Sequence, residues 1–171
     1  LYGQFLFNAF YLGFTIGISP IVGFQYGAGD KQKLRNIYHT SFLFVAVSSV
    51  FMAVIAIVLS PTIVTIFTDD PATYELAAVG FRLFAINFLF SGISITSSGF
   101  FTALSNGTIS AVISFCRTLG FIVLSLLILP KFLGITGAWI AIPVAEFCTL
   151  LVTGVMHFVY FWKPGIRNYL R

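Results

Sequence analysis

NIYHTSFLFVAVSSVFMAVIAIVLSPTIVTIFT, residues 36–68, holds no Asp, Glu, Lys or Arg. A helix needs about 20 mostly apolar residues to cross the roughly 30 Å hydrocarbon core of a bilayer. This stretch exceeds that length, with apolar residues on all sides. Two more uncharged runs, 1–29 and 83–116, have the same character. The whole chain of 171 residues is 58% apolar and 8% charged, with 21 Phe, whereas about a quarter of the residues of a soluble domain are charged. The chain therefore reads as an integral membrane protein. Strands of a membrane barrel would be about ten residues long and alternate apolar with polar positions, so the spans are helices and the fold class is all-α. The low charge and two His leave little material for catalytic chemistry, and no cofactor, metal or catalytic set is expected. The chain does not start with Met, which suggests a piece of something longer.

Turn and charge signals divide the sequence into five spans, at 1–24, 39–66, 78–101, 108–129 and 135–162, with a tail at 163–171. Short connections make sequential helices antiparallel neighbours, which gives one five-helix membrane domain. The link at 27–38 carries Lys31, Lys33 and Arg35, and reads as one short basic loop. The tail adds Lys163, Arg167 and Arg171, and the link at 67–77 carries Asp69, Asp70 and Glu75. Basic residues concentrate on the cytoplasmic side of membrane proteins. An even number of crossings puts both basic groups on one side, so the C-terminus is expected in the cytoplasm of a multi-pass plasma-membrane protein. The basic loop suits anionic lipid headgroups rather than nucleic acid.

A charge at mid-bilayer costs at least about 2.5 kcal/mol, so ionisable residues inside spans are informative. Arg117 lies about 14 Å into the fourth span and Glu146 about 16 Å into the fifth from the other face, at about 1.5 Å per residue. In antiparallel neighbours those depths coincide. The two are expected to face each other, either as a structural clamp or as part of a transport cycle. Asn8, Gln25 and Asn87 are uncharged amides able to glue helices or touch a cargo. Arg82 can reach headgroups or Glu75. His39 and His157 sit near the membrane interface and need no special role. Cys116 and Cys148 form no ligand-spaced set and read as packing.

Gly13 and Gly17 stand at GxxxG spacing, which predicts close helix packing. Pro20 and Pro143 each remove a backbone hydrogen bond and are the candidate helix bends, Pro143 three residues before Glu146. Ser91, Ser94, Thr96, Ser97, Ser98 and Thr102 make the third span hydroxyl-rich. They can line a wet cavity or bond to their own backbone, and both readings stand.

The stretch Gly17-Ile-Ser-Pro-Ile-Val-Gly-Phe-Gln-Tyr-Gly-Ala-Gly29, followed by Asp30 and basic residues to Arg35, resembles the end of the second or eighth helix in the multidrug and toxic compound extrusion (MATE) family. Ser98-Gly-Phe-Phe-Thr-Ala-Leu-Ser-Asn-Gly107, Ser114-Phe-Cys-Arg117, Gly134-Ile-Thr-Gly-Ala-Trp139 and Ile142-Pro-Val-Ala-Glu146 resemble, in order, that family's helix ten to twelve region. The resemblance implies a twelve-helix, two-lobe antiporter. Such a protein exports cationic or amphipathic drugs against protons or sodium. The five spans would be helices eight to twelve, and the partners would be organic cations, membrane lipids and a missing N-terminal lobe. Gln25 stands where that family usually has Asn. The third span lacks the acid that sodium-coupled members carry there, which leaves Glu146 as the intramembrane acid of this lobe or else puts the coupling site in the missing half, with the coupling ion open. The alternatives are a flippase for lipid-linked saccharides, which would want several basic residues at mid-membrane, and a non-transporting scaffold.

Overall fold

A computed structural model describes residues 2–67 and 70–162. Helices α1 (Tyr2–Gly27), α2 (Lys31–Phe67), α3 (Pro71–Ala85), α4 (Asn87–Ala103) and α5 (Gly107–Phe115) lead into a π-helical turn (Cys116–Gly120) and then α6 (Phe121–Trp162). The described residues contain no strand. Lys163, Arg167, Arg171 and Asp69 lie outside them.

Four helical stretches are long and apolar enough to cross a membrane: Phe7–Gly27, Lys31–Ile66, Thr73–Ala103 and Gly107–Tyr160. The last runs for 54 residues, which as one straight helix would extend about 80 Å. It does not run straight. Gly134 adopts φ 58° and ψ −137°, a conformation open in practice only to glycine. The chain reverses there so tightly that a Cβ on Gly137 would overlap the Leu129 carbonyl. The result is five antiparallel passes, as the spans predict, with the last turn centred on Gly134. Pro20 and Pro143 lie inside helices α1 and α6.

The links are shorter than the sequence suggests. Lys31, Lys33 and Arg35 occupy the first turns of α2 and not a loop. The reason is a cap: Asp30 Oδ1 accepts from the Lys33 amide at 3.0 Å, and its other oxygen lies 3.1 Å from Lys33 Nζ. Asp70 does the same for α3, accepting from the Thr73 amide at 2.9 Å and from the Thr73 hydroxyl at 2.6 Å, with Pro71 opening the helix. Asn106 accepts from the Ile109 amide at 3.3 Å and starts α5. The third span is two helices joined at Ile86, where the Leu89 amide bonds back to the Ile86 carbonyl at 3.1 Å.

Helix α4 is the hub, packed on α1, α2, α5 and α6. Its small residues allow this. A Cβ on Gly92 would come within 2.6 Å of both Ser49 Oγ and Tyr11 Cε1, and one on Gly99 would overlap Thr15. By contrast, Gly13 and Gly17 meet nothing within 4 Å. The close packing expected at that GxxxG pair is absent from this structure, because α1 turns Tyr11 and Thr15 to α4 and leaves the two glycines on its outer face. The burial pattern is inverted relative to a soluble domain. Phe5, Ile66 and Phe132 are over two-thirds exposed, while Ser91, Ser94, Thr96, Ser97, Asn87 and Thr149 are fully buried. An apolar exterior with hydroxyls and small residues between helices is what lipid surroundings select.

Candidate functional site

The site starts from the reversal at Gly134, which folds 135–162 back along the π-helical turn. In that turn the Phe121 amide bonds to the Cys116 carbonyl, five residues back. The extra residue per turn re-aims the side chains it carries, and such turns recur at functional sites. Arg117 lies in the turn. Its Nε donates to both oxygens of Glu146, at 2.9 and 3.2 Å. The Arg117 side chain is 16% exposed and that of Glu146 is 1% exposed. Counted at about 1.5 Å per residue, Arg117 lies about 15 Å from the Gly107 end and Glu146 about 18 Å from Gly134, so the pair is at mid-depth.

Around the pair, α6 buries Ala145 and Thr149, and the Thr149 hydroxyl donates to the Ala145 carbonyl at 2.9 Å. Phe90 and Phe147 meet at 5.5 Å, which sets α4 beside Glu146. The α4–α5 seam is bonded through hydroxyls. Ser98 Oγ lies 2.9 Å from Ser110 Oγ and 2.7 Å from Ser114 Oγ, and Thr102 donates to Ser110 Oγ at 2.7 Å. Thr118, in the π-helical turn, donates to the Ser114 carbonyl at 2.7 Å.

The structure brings Arg117 and Glu146 together, and none of the three amides hydrogen-bonds to them among the described residues. Asn87 opens α4, fully buried, and neither of its amide atoms has a hydrogen-bond partner among the described residues. Asn8 is on α1, its Oδ1 buried and without a partner among the described residues. Gln25 is half-buried in the last turn of α1, at the basic end of the bundle. Arg82 is exposed on α3 and makes no ion pair among the described residues. Cys116 and Cys148 are free and half-buried, and no group of His, Cys, Asp or Glu among the described residues can hold a metal.

Two features escape a reading by residue type. Ser110, Ser114 and Thr118 recur at every fourth position, a signal that attention to the third span alone passes over. His157 is tied to Tyr38, whose hydroxyl lies 3.2 Å from Nδ1. Phe42 and Phe101 pack on the same imidazole at 5.3 and 4.7 Å. This contact joins the start of α2 to the end of α6 at the basic end, and nothing in the spacing of residues 38 and 157 announces it.

Comparison with known proteins gives a consistent picture. The family model described as MatE matches residues 3–127. Human multidrug and toxin extrusion protein 1 is 28% identical over 143 residues, covering 81% of this chain and 24% of the relative. The mouse protein of that name is 24% identical over 141 residues, covering 80% and 24%. The chain thus spans about a quarter of the length of these relatives. Among solved structures, the Vibrio cholerae MATE transporter VcmN in its bent form superposes with a TM-score of 0.78 at 17% identity, covering 98% of this chain and 39% of that one.

Proposed function

The chain belongs to the MATE family, and from that premise we propose that it forms most of one lobe of a secondary antiporter. The cargo is a cationic or amphipathic compound, exported in exchange for protons or sodium. The observation that carries the reading is the Arg117–Glu146 pair, a carboxylate 1% exposed at mid-depth of an apolar bundle. Intramembrane ionisable residues of this kind mark ion and substrate pathways. The relatives' name, multidrug and toxin extrusion protein 1, supports the cargo class. The basic start of α2 supports a cytoplasmic placement of that end and hence of the C-terminus.

In the proposed cycle Glu146 alternates between two conditions. Paired with Arg117, the carboxylate is neutralised by the guanidinium. An incoming proton or sodium ion neutralises it instead and releases Arg117. The pair joins the π-helical turn to the returning half of α6, so its opening loosens two passes against each other, which is the bistable element alternation requires. Asn87, Asn8 and Gln25 are proposed as uncharged contacts along the cargo path.

The test uses the full-length parent protein in inside-out proteoliposomes, with a fluorescent organic cation and an imposed proton or sodium gradient. Gradient-driven uptake by the wild type supports the reading. If neither gradient moves any cation, the drug-export reading fails and lipid-linked saccharide export takes its place.

A further inference from the structure

Asn87, Ser91, Ser94, Ser98 and Thr102 lie on one face of α4, at spacings of four, three, four and four residues. The two ends of this stripe differ. Ser98 and Thr102 are bonded to α5 through Ser110 and Ser114. Asn87, Ser91 and Ser94 are 0% exposed, and the Asn87 amide nitrogen and oxygen, Ser91 Oγ and Ser94 Oγ have no partner among the described residues.

Four orphaned polar atoms on one helix face are anomalous. Each buried group left unpaired costs about 1–3 kcal/mol, and buried polar groups in proteins are almost always satisfied by protein or by ordered water. The stripe also has a fixed place relative to the ion pair. Ser98 meets Ser114, one turn short of Arg117 and Thr118, so one further turn along α4 in this antiparallel pair brings Ser94 to about their depth. On the other side Phe90 meets Phe147, which sets Ser91 at the level of Cys148 and just past Glu146. The orphaned end therefore lies at the depth of Arg117–Glu146, and the bonded end reaches the loop after α4.

We propose that the stripe is a hydrated track: a file of water molecules bound to Asn87, Ser91 and Ser94 and continued by the hydroxyls of Ser98 and Thr102. It runs inside the lobe from the basic end to the depth of Glu146. Its ligand is water, held by amide and hydroxyl groups that otherwise have nothing to bond. The track itself rests only on the packing of α4. Its use, as the route by which solvent reaches the ion pair, rests on the antiport reading.

The experiment uses the full-length parent in membranes, with its other cysteines replaced, Cys116 and Cys148 included. Single cysteines are placed at Ser98→Cys, Ser94→Cys and Ser91→Cys. Controls are Thr96→Cys and Ala85→Cys, which are as buried as Ser91 and Ser94 but on faces turned to α1 and α2. Silver ions, which move with water and bind thiols, are applied from the basic side, and the thiol left for maleimide is measured after denaturation. The track predicts silver protection at 98, 94 and 91 at least an order of magnitude faster than at 96 and 85, and slowed at 94 when Ser98→Leu is added. Equal rates at all five positions, fast or slow, overturn it. In parallel, Asn87→Leu is followed by thermal unfolding: a hydrated amide predicts a lower midpoint, and a raised midpoint shows a dry, unpaired amide and overturns the proposal. Both readouts are independent of transport, so a parent that moves no cation still decides the question.

Discussion

Removing Arg117 alone strands a carboxylate that the fold keeps 1% exposed. The Coulomb attraction across the 2.9 Å contact is roughly 6 kcal/mol at an effective dielectric of about 20. Desolvation of the two ions, several kcal/mol each, opposes it. The net worth of the intact pair is therefore small, but the loss on breaking it is large, about 3–5 kcal/mol. Arg117→Leu and Glu146→Leu should each lower the stability of the full-length parent by that amount. The double substitution should return to within about 1 kcal/mol of wild type, since neither charge is then left alone. The assay is a double-mutant cycle, with unfolding by denaturant in mild detergent followed by Trp fluorescence. Coupling of at least about 2 kcal/mol is expected. Additive losses from the two single variants would refute the reasoning, because they would mean that the charges are solvated separately.

Gly92→Ala puts a methyl within 2.6 Å of Ser49 Oγ and Tyr11 Cε1 and should cost about 1–3 kcal/mol by overpacking, whereas Gly13→Ala, in open space, should be near neutral; thermal midpoints of the two variants check this. Gly134→Ala forces a Cβ into a backbone conformation other residues avoid and should cost about 1–3 kcal/mol, read as a lower thermal midpoint. The Thr73 hydroxyl and amide hold the Asp70 carboxyl below the usual carboxylate range, and the Lys33 amide and ammonium do the same for Asp30. A depressed folded value means that the stabilisation is complete above the unfolded carboxylate range and is lost as pH falls through the folded value. Amide exchange at Thr73 and Lys33 should therefore gain over its intrinsic rate only at acid pH, below the usual carboxylate range, and Asp70→Asn should make the Thr73 change pH-independent.

The number of passes and their class were legible because lipid imposes a coarse rule, about 20 apolar residues per crossing. The Arg117–Glu146 contact was legible for a related reason: few charges enter the spans, and two at equal depth on neighbouring antiparallel helices have little choice of partner. Helix boundaries were less so. Asp30 and Asp70 cap helices through one or two hydrogen bonds each, and a cap turns charged residues that look like a loop into the first turn of a helix. Packing contacts were the least legible. GxxxG spacing at Gly13 and Gly17 marks a surface that can pack closely, but which face of α1 meets a neighbour is decided by Tyr11 and Thr15 fitting the glycines of α4. The break at Ile86, the π-helical turn and the Tyr38–His157 contact likewise depend on tertiary fit, which no periodicity encodes.

The central claim is that Glu146 couples an ion gradient to cargo movement and is more than a clamp. The direct measurement compares two modes of the full-length parent in proteoliposomes for Glu146→Gln: uptake of a fluorescent organic cation driven by a proton or sodium gradient, and exchange of labelled for unlabelled cation with no gradient. If the account holds, the variant keeps a folded elution profile and exchanges cation, but loses gradient-driven uptake. Gradient-driven uptake at the wild-type rate in the variant would contradict it.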